Sequence, residues 1–339
     1  MADPMPGASN LSTSSPTPGN PTADRARLGI AVGADRPEFE RDTSGSTAVG
    51  DVRQKLNPAE RVWGFEIVRK STIVLLLLLA WQWGALYYDN PLGLPTAWES
   101  HKALFDNLVP KFWEIKEWSW EAVKKACNQD NAPLLIMTYA SIKLLLVGYA
   151  IGVLLACLLS VAATFTRIGR DFLETLTAMF SPLPAIALVP LALIWFGLGN
   201  PNAMIFVLIH SVMWPVALNM HSGFRASGTT LRMVGQNYGL GPFRFVAMIL
   251  IPAAFPAILT GLKIGWAFGW RTLIAAELVF GVNGDQGGLG WFVFMNKNNQ
   301  NTDAVFAGLL MVIFIGLLVE NVIFRTVENK TVRKWGMQG

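Results

Sequence analysis

The stretch "TLTAMFSPLPAIALVPLALIWFGLGNPNAMIFVLIHSVMWPVALNMHSGF", Thr175–Phe224, contains no aspartate, glutamate, lysine or arginine. A membrane-spanning helix needs about 20 apolar residues, so this stretch is far too long for one span and predicts two. The segment "FGLGNPN", Phe196–Asn202, has the glycine, asparagine and proline content of a turn and separates the two. The fold prediction therefore begins with two membrane helices joined by a short turn.

The whole chain has a composition that is typical of a multi-pass membrane protein. Hydrophobic residues make up 52% of its 339 residues, charged residues make up 15%, and the mean hydropathy is +0.39. The chain contains 13 tryptophans, whose indole rings favour the membrane interface. Its net charge of +4 comes from basic residues beside apolar segments, so we expect no nucleic-acid partner.

Apolar segments predict an all-α polytopic membrane protein with six transmembrane helices. The transmembrane domain covers residues 61–339, after a Pro-, Gly- and Ser-rich tail, residues 1–60, whose composition predicts disorder. Residues 89–131 form a polar insert, in which "FWEIKEWSWEAVKKA", Phe112–Ala126, predicts an amphipathic interfacial helix or a packed extramembrane helix. The predicted spans are residues 68–88, 141–166, 174–197, 202–222, 248–278 and 304–324.

Lysine and arginine placement predicts the orientation of these spans. With six spans, four basic groups lie on the same side, which we expect to be cytoplasmic together with both termini. The loop of residues 223–247 is then cytoplasmic, and the insert of residues 89–131 is external. The four groups are Arg53, Lys55, Arg61, Arg69 and Lys70; Arg167 and Arg170; Arg225, Arg232 and Arg244; and Arg325, Lys330, Arg333 and Lys334.

The cytoplasmic loop leads into the stretch "MVGQNYGLGPFRFVAMILIP", Met233–Pro252, which has strong local signals. A hydroxyl from Thr229 or Thr230 can cap a short helix, and Gly239 can end it in the left-handed conformation. Pro242 suits the first turn of a second helix, where its missing N–H has no partner to lose. These local signals alone are compatible with an ordinary connecting loop. A functional interpretation of the loop therefore rests on the spacing of its motif residues.

The stretch resembles the cytoplasmic loop motif of binding-protein-dependent ABC importer permeases. In that motif Glu-Ala-Ala is followed by three residues, a glycine, nine residues, and then Ile, any residue, Leu and Pro. Here "MVG" stands in place of the triplet and Ile251 in place of the leucine, so the acidic residue is absent. The resemblance implies docking of an ATPase subunit, which would here rest on shape and apolar contact. The implied docking residues are Thr230, Met233, Val234, Gly235, Gly239, Ile249 and Pro252.

Two further stretches are similar to the nitrate, sulfonate and taurine group of these permeases. They are "SPLPAIALVPLALIWFGLG", Ser181–Gly199, which resembles that group's proline-rich third span, and "LTGLKIGWAFGWRTLIAAE", Leu259–Glu277, which resembles its fifth span. The resemblance covers most of residues 135–325 and implies a type I ABC importer permease fold. It also implies a periplasmic or lipid-anchored substrate-binding protein, separate ATPase subunits that bind ATP and Mg, and a homodimer in the inner membrane of a bacterium.

Prolines and charges within the predicted spans mark a candidate translocation pathway. Pro182, Pro184 and Pro190 remove helix hydrogen bonds, which a bilayer tolerates where the freed carbonyls face protein or water; a kink for packing alone is the alternative. Lys263 and Arg271 interrupt the fifth span, and cations in a cavity there would favour an anionic substrate. The alternatives are that Arg271 pairs with another group and that Lys263 extends to the cytoplasmic interface.

Two other features of the spans carry predictions. Glu277, the acidic residue near the outer end of the fifth span, belongs to the candidate pathway and is a candidate partner for Arg271. Gly261, Gly265 and Gly269 recur every fourth position, which predicts a close helix contact, within the chain or across a homodimer axis. We interpret the isolated His210 as a hydrogen-bonded packing residue, with a functional role as the alternative.

The sequence as a whole favours the permease subunit of an ATP-driven importer of a small anion such as nitrate, taurine, a sulfonate or bicarbonate. It contains no G-x-x-x-x-G-K-[ST] phosphate loop and no recognisable catalytic or metal-binding arrangement, so we expect no enzyme activity, cofactor or metal in this chain. The alternatives are a secondary transporter driven by an ion gradient, which would need intramembrane acids or a histidine relay, and a membrane scaffold without transport.

Overall fold

The computed structural model describes residues 66–90, 92–109, 133–280 and 287–336, all of which belong to the structural unit Gly64–Gly339. Helices account for most of these residues, and no strand occurs among them. The helices are α1 (Glu66–Tyr88), α2 (Ala97–Leu108), α3 (Pro133–Phe165), α4 (Arg167–Phe180), α5 (Val189–Phe196), α6 (Pro201–Ala226), α7 (Thr229–Asn237), α8 (Pro242–Phe245), α9 (Ile251–Phe280), α10 (Leu289–Asn298), α11 (Thr302–Leu318) and α12 (Arg325–Lys330).

Five continuous helical segments are long and apolar enough to cross a membrane. A sixth segment qualifies only as a pair of helices bent by 88°, Arg167–Phe180 with Ala185–Phe196. The structure therefore contains five such spans, or six if the bent pair counts as one, within the described residues. The five continuous segments are Val68–Tyr88, Pro133–Phe165, Pro201–Ala226, Pro242–Val279 and Thr302–Lys330, and they correspond to all the predicted spans except the third.

The third predicted span, residues 174–197, is broken near Pro182 and Pro184, two of the prolines that were predicted to remove helix hydrogen bonds within this span. α4 ends at Phe180 with Ser181 as its C-cap, and Pro184 then precedes a 3₁₀ turn, Ala185–Leu188. Pro190 lies in the first turn of α5, where a missing N–H leaves no helix bond unmade. Contrary to the prediction, Pro190 therefore does not interrupt a helix. Residues 182–184 alone change the chain direction, because two prolines and a turn cannot continue the hydrogen-bond ladder of α4.

α6 lies between α3 and α9, and glycines bring both neighbours close to it. A Cβ on Gly148 of α3 would lie 2.6 Å from the Cβ of Leu208. On α9, a Cβ on Gly265 would lie 2.7 Å from Cγ2 of Val216, and Gly261 and Gly269 contact the same helix. The predicted helix contact is thus confirmed, and α6 of the same chain is the partner.

Two of the long segments contain wide helical turns. A π-helical turn, Val246–Leu250, joins α8 to α9, so the fifth span begins at Pro242, six residues before the predicted start. The wide turn comes just before Pro252, whose nitrogen cannot donate to a regular helix ladder. A second π-helical turn, Val319–Phe324, joins α11 to α12, and it extends the last span to Lys330.

The described part of the insert contains α2, a helix that begins with a capping box. Thr96 accepts a hydrogen bond from the N–H of Glu99, and the Glu99 carboxylate accepts from the N–H of Thr96. The backbone and hydroxyl bonds from Thr96 hold the pKa of Glu99 below its usual value. The predicted helix around Phe112–Ala126 and the tail of residues 1–60 lie outside the described residues.

Candidate functional site

α7 is the short helix that the loop sequence predicts, and Gly239 ends it. Gly239 has a φ of +64°, which is the left-handed conformation expected of it. Its N–H donates to the carbonyl of Gln236 at 2.9 Å, and the N–H of Leu240 donates to the carbonyl of Gly235 at 3.0 Å. These paired bonds satisfy the last carbonyls of the helix, and α8 begins at Pro242 as predicted.

The start of α7 differs from the prediction. The helix begins at Thr229, and Gly228 occupies the capping position in place of the predicted threonine. Glycine is tolerated at this position at a cost of a few tenths of a kcal/mol, which makes a hydroxyl cap dispensable. Thr230 instead lies on the exposed surface of the first turn.

Gly235 is the contact between α7 and the start of the fifth span. It is buried, whereas its neighbours on the helix are exposed. A Cβ at this position would lie 2.5 Å from Cδ2 of Phe245 and 3.3 Å from Cδ1 of Ile249. The backbone of α7 therefore lies directly against α8 and the π-helical turn, with no side chain of α7 in between.

The other triplet residues face away from this contact. Met233 is 55% exposed and Val234 is 38% exposed, and Leu231 and Tyr238 are exposed as well. α7 thus combines a buried glycine with apolar side chains that are exposed, of which Met233 and Val234 point away from the glycine. An exposed apolar surface of this kind on a polar helix is typical of a protein–protein contact. Pro252, the last motif residue, lies at the second position of α9 and is half-buried.

Lys263 and Arg271 both line a cavity of about 470 Å³ between α9 and the last span. The Nζ of Lys263 donates to the Oε2 of Glu328 at 2.5 Å, an ion pair that joins α9 to α12. Arg271 is exposed, and its guanidinium lies 5.8 Å from the ring centre of Phe268. The structure therefore brings the two predicted pathway cations to one cavity. Their role in transport stays a prediction.

Glu277 lies apart from this cavity and is 2% exposed. Its carboxylate accepts hydrogen bonds from the hydroxyl of Ser141 and the N–H of Gly290, each at 2.8 Å, and the Ser141 oxygen accepts from the N–H of Leu289 at 2.7 Å. Leu289 and Gly290 begin α10, so the two side chains satisfy the free N–H groups at the helix start. Arg271 does not pair with Glu277, and a pathway role for Glu277 stays a prediction.

A second cavity, of about 350 Å³, adjoins the break between α4 and α5 and contains Pro184. His210, Ser211 and Trp214 of α6 line it, together with Thr272 of α9. His210 packs against the rings of Phe180 and Trp214, but neither of its ring nitrogens has a hydrogen-bond partner among the described residues, so the packing is as predicted and the expected hydrogen bond is not present. Pro190, the other predicted pathway proline, does not line this cavity. The only sequence signal for these polar cavity-lining residues is that each is an isolated polar residue in an apolar helix, and this signal was not sufficient to predict the cavity.

A comparison with known protein families identifies the class to which this chain belongs. The chain belongs to the family described as the binding-protein-dependent transport system inner membrane component, whose model matches residues 148–330. The matched region begins in α3 and contains the loop of residues 223–247, the two cavities described above and the last span. The chain is accordingly an ABC transporter permease, a multi-pass protein of the bacterial inner membrane.

Individual relatives agree with this assignment. A taurine transport system permease protein of Escherichia coli is 26% identical over 79% of this chain and 92% of its own length. A nitrate import permease protein of a Synechocystis species is 25% identical over 82% of this chain and 94% of its own. A chain assigned as an ABC transporter permease in Methanocaldococcus jannaschii is 28% identical over 78% and 91% of the two lengths. The resemblance to the nitrate, sulfonate and taurine group is thereby confirmed.

Proposed function

We propose that this chain is the transmembrane subunit of an ATP-driven importer that moves a small anion across the inner membrane by alternating access. The anion belongs to the nitrate, taurine, sulfonate or bicarbonate class. The names of the relatives support this class, since taurine and nitrate permeases match almost their full lengths. The cavity that Lys263 and Arg271 line supports an anionic solute on electrostatic grounds.

The contact of Gly235 with Phe245 and Ile249 is the observation that carries this proposal. A partner that binds the exposed side of α7 and moves it displaces the start of the fifth span through this contact. That span continues helically from Pro242 to Val279 and lies against α6 along its glycines, so a movement at the cytoplasmic end reaches both cavities. ATP binding then biases a two-state membrane domain without a chemical step in this chain.

The proposal includes partners that this chain needs for transport. Two ATPase subunits bind ATP and Mg and dock at α7, and a substrate-binding protein delivers the anion at the external face. A second copy of this chain completes the pathway as a homodimer surrounded by membrane lipid. Both termini and the loop of residues 223–247 are cytoplasmic in this arrangement. The chain holds no cofactor or metal and is not an enzyme by itself.

Reconstitution in proteoliposomes tests the proposal. The chain, its ATPase and its binding protein are assembled in the vesicles, and ATP is supplied on the side of the membrane where the ATPase lies. Uptake of radiolabelled taurine and of nitrate is then measured. We expect uptake that requires ATP and persists when ionophores collapse the membrane potential. Loss of uptake under the ionophores, with ATP hydrolysis intact, would show an ion-gradient transporter instead. Failure of an ATPase to copurify in mild detergent would favour a scaffold.

A further inference from the structure

We propose that the ATPase subunit docks on α7 through an acidic side chain, which enters a small cavity beside this helix and pairs with Arg232. The inference deepens the proposed function, on which it rests, because it names the chemistry that the partner presents. The cavity has a volume of about 240 Å³ and lies between α7, α8 and the end of α3. We call it the α7 cavity, and its lining includes Phe165, Arg232, Gly235, Gln236 and Phe245.

The first observation is that the loop of residues 223–247 carries only positive charge. It contains three arginines and no aspartate, glutamate or lysine. Arg225 forms an ion pair with Glu174 of α4 at 3.4 Å, whereas Arg232 and Arg244 form no ion pair or hydrogen bond with any described residue. The positive charge of the last two is therefore not neutralised by the described part of this chain.

The sign of the charge on α7 differs from that of the loop motif. The motif has a glutamate where this chain has Met233, and Arg232 lies one position before it. Arg232 is also the only charged residue of α7. Charges across a docking interface are arranged to complement each other, so the surface that fits this helix is acidic. This contact adds to the shape and apolar contact that the resemblance implies.

The second observation is the position of Arg232 at the α7 cavity. Arg232 and Gln236 are about one helical turn apart, and both line the cavity. Both residues are exposed, and neither side chain forms a hydrogen bond within the described parts of the chain. A guanidinium and an amide NH₂ are both donors, and a carboxylate has two acceptor oxygens. One carboxylate in the cavity can therefore bond both side chains.

The third observation is that the α7 cavity joins three elements of the membrane domain. Phe165 is the last residue of α3, Gly235 belongs to α7 and Phe245 belongs to α8. The ring of Phe165 is 45% exposed, so a partner side chain in the cavity can cover it. A side chain held there contacts α3 as well as the start of the fifth span. Docking in the cavity thus engages two of the long membrane segments.

The phosphate of an anionic lipid is the competing partner for Arg232, because basic residues beside a membrane attract such lipids. Segments that bind anionic lipids carry clusters of about 4–8 basic residues. The loop of residues 223–247 has three, and one of them is already paired with Glu174. The charge density of this loop therefore favours a single acidic contact with a protein.

The first measurement is the affinity of the separately purified ATPase subunit for the full chain in lipid-free neutral detergent, by microscale thermophoresis. Arg232→Gln should weaken binding about tenfold, and Arg232→Glu should weaken it further. The difference between Arg232→Gln and the wild type should shrink at high salt. Arg244→Gln is the matched control and should bind like the wild type, since Arg244 is exposed and unpaired in the same loop but does not line the α7 cavity.

Carbodiimide cross-linking identifies the group that Arg232 contacts. Arg232→Lys keeps the charge and introduces the only lysine of residues 223–247, whose amine a carbodiimide can join to a neighbouring carboxylate. We expect an amide bond to an aspartate or glutamate of the ATPase subunit, located by mass spectrometry of the linked peptides. Arg244→Lys is the control and should form no link to the ATPase subunit.

The outcomes separate this inference from the proposed function. Equal affinities of the wild type and Arg232→Gln, or equal losses in Arg232→Gln and Arg244→Gln, overturn the acidic contact even when ATP-driven uptake is observed. An effect of Arg232→Gln that appears only after phosphatidylglycerol is added overturns it in favour of the lipid. If binding depends on Arg232 as expected and no ATP-driven anion uptake occurs, the contact stands and the proposed function fails. A wild-type chain that binds no ATPase subunit overturns both. Size-exclusion chromatography of each variant reports that it is folded.

Discussion

Ser141 of α3 and Glu277 of α9 are 136 positions apart, and the hydroxyl of Ser141 lies 2.8 Å from both carboxylate oxygens of Glu277. Together they bond the first N–H groups of α10. Glycines at 288 and 290 make the close approach possible, because a Cβ on Gly288 would lie 2.1 Å from a carboxylate oxygen. Three separate segments therefore meet at one buried carboxylate.

Removal of the Ser141 hydroxyl should weaken this junction. In Ser141→Ala the carboxylate loses a donor and the N–H of Leu289 loses its acceptor, so we expect a loss of about 1–3 kcal/mol in the free energy of unfolding. The measurement is SDS-induced unfolding in mixed micelles. Ser222→Ala, an exposed serine of α6, is the control and should change little. Equal stability of the two variants would show that the junction contributes nothing.

A side chain at position 235 should uncouple the ATPase from transport. In Gly235→Ala the new Cβ would meet the ring of Phe245, so α7 must move away from the fifth span. We expect uptake to fall about tenfold in proteoliposomes while membrane insertion is retained. Gly228→Ala, in the same loop with open space around it, should transport normally. Phe245→Leu added to Gly235→Ala should restore part of the uptake; a double variant as impaired as Gly235→Ala would contradict the contact.

Gly239 and Gly241 form a matched pair for the conformation that ends α7. A Cβ added at either position would have no other atom within 4 Å. The two glycines differ in backbone conformation, since Gly239 has a φ of +64° and Gly241 has a φ of −65°. Gly239→Val should cost at least the roughly 1–2 kcal/mol of a left-handed L-residue and reduce transported solute per ATP hydrolysed. Gly241→Val should leave that ratio near the wild-type value. Identical ratios for the two variants would remove the end of α7 from the coupling mechanism.

The glycine contact between α9 and α6 should be sensitive to a single methyl group. Gly265→Ala places a Cβ 2.7 Å from Cγ2 of Val216, and such overpacking costs about 1–3 kcal/mol. Val216→Ala in the same chain should recover most of this loss in micelle unfolding. Gly316→Ala of α11, whose nearest neighbouring atom is 4.0 Å from the new Cβ, is the control. Absence of recovery would mean that the two positions do not compete for space.

The ion pair between Lys263 and Glu328 should show a modest coupling energy. Both side chains are about one third exposed, at 34% and 29%, so solvent screens part of the attraction. A double-mutant cycle with Lys263→Met and Glu328→Gln should give about 1 kcal/mol in the free energy of unfolding, smaller at high salt. Additive effects of the two substitutions would show that the contact holds α12 to α9 only weakly.

Local sequence signals predict a large part of the fold because their causes are local. The apolar segments fix five spans, since each contains enough uncharged residues to cross the hydrocarbon. The positive φ of Gly239 and the helix start at Pro242 follow from the backbone properties of these two residue types. The spacing of Gly261, Gly265 and Gly269 likewise predicts a contact face, although the identity of the partner helix required the structure.

Contacts between distant segments could not be predicted in the same way. The Lys263–Glu328 pair spans 65 positions, and nothing in the sequence near Lys263 indicates its partner. The Ser141–Glu277 bond has no local signal either, which is why Glu277 was predicted as a pathway residue or as a partner of Arg271. The prolines at 182 and 184 predicted a loss of helix hydrogen bonds within one span but not the 88° bend, because prolines show that a helix cannot continue and do not give the direction of the next segment.

The glycines that hold α3 and α9 against α6 restrict how this membrane domain can change shape; they are Gly148, Gly152, Gly261, Gly265 and Gly269. Between these helices the contact is from backbone to side chain, so there are few rotatable bonds whose adjustment could open a gap. The three helices must therefore turn together as one rigid body. We expect changes in internal volume at the cavities instead, which lie beside the last span, beside the α4–α5 break and beside α7. In the proposed transport cycle, the moving walls of the solute path would lie there.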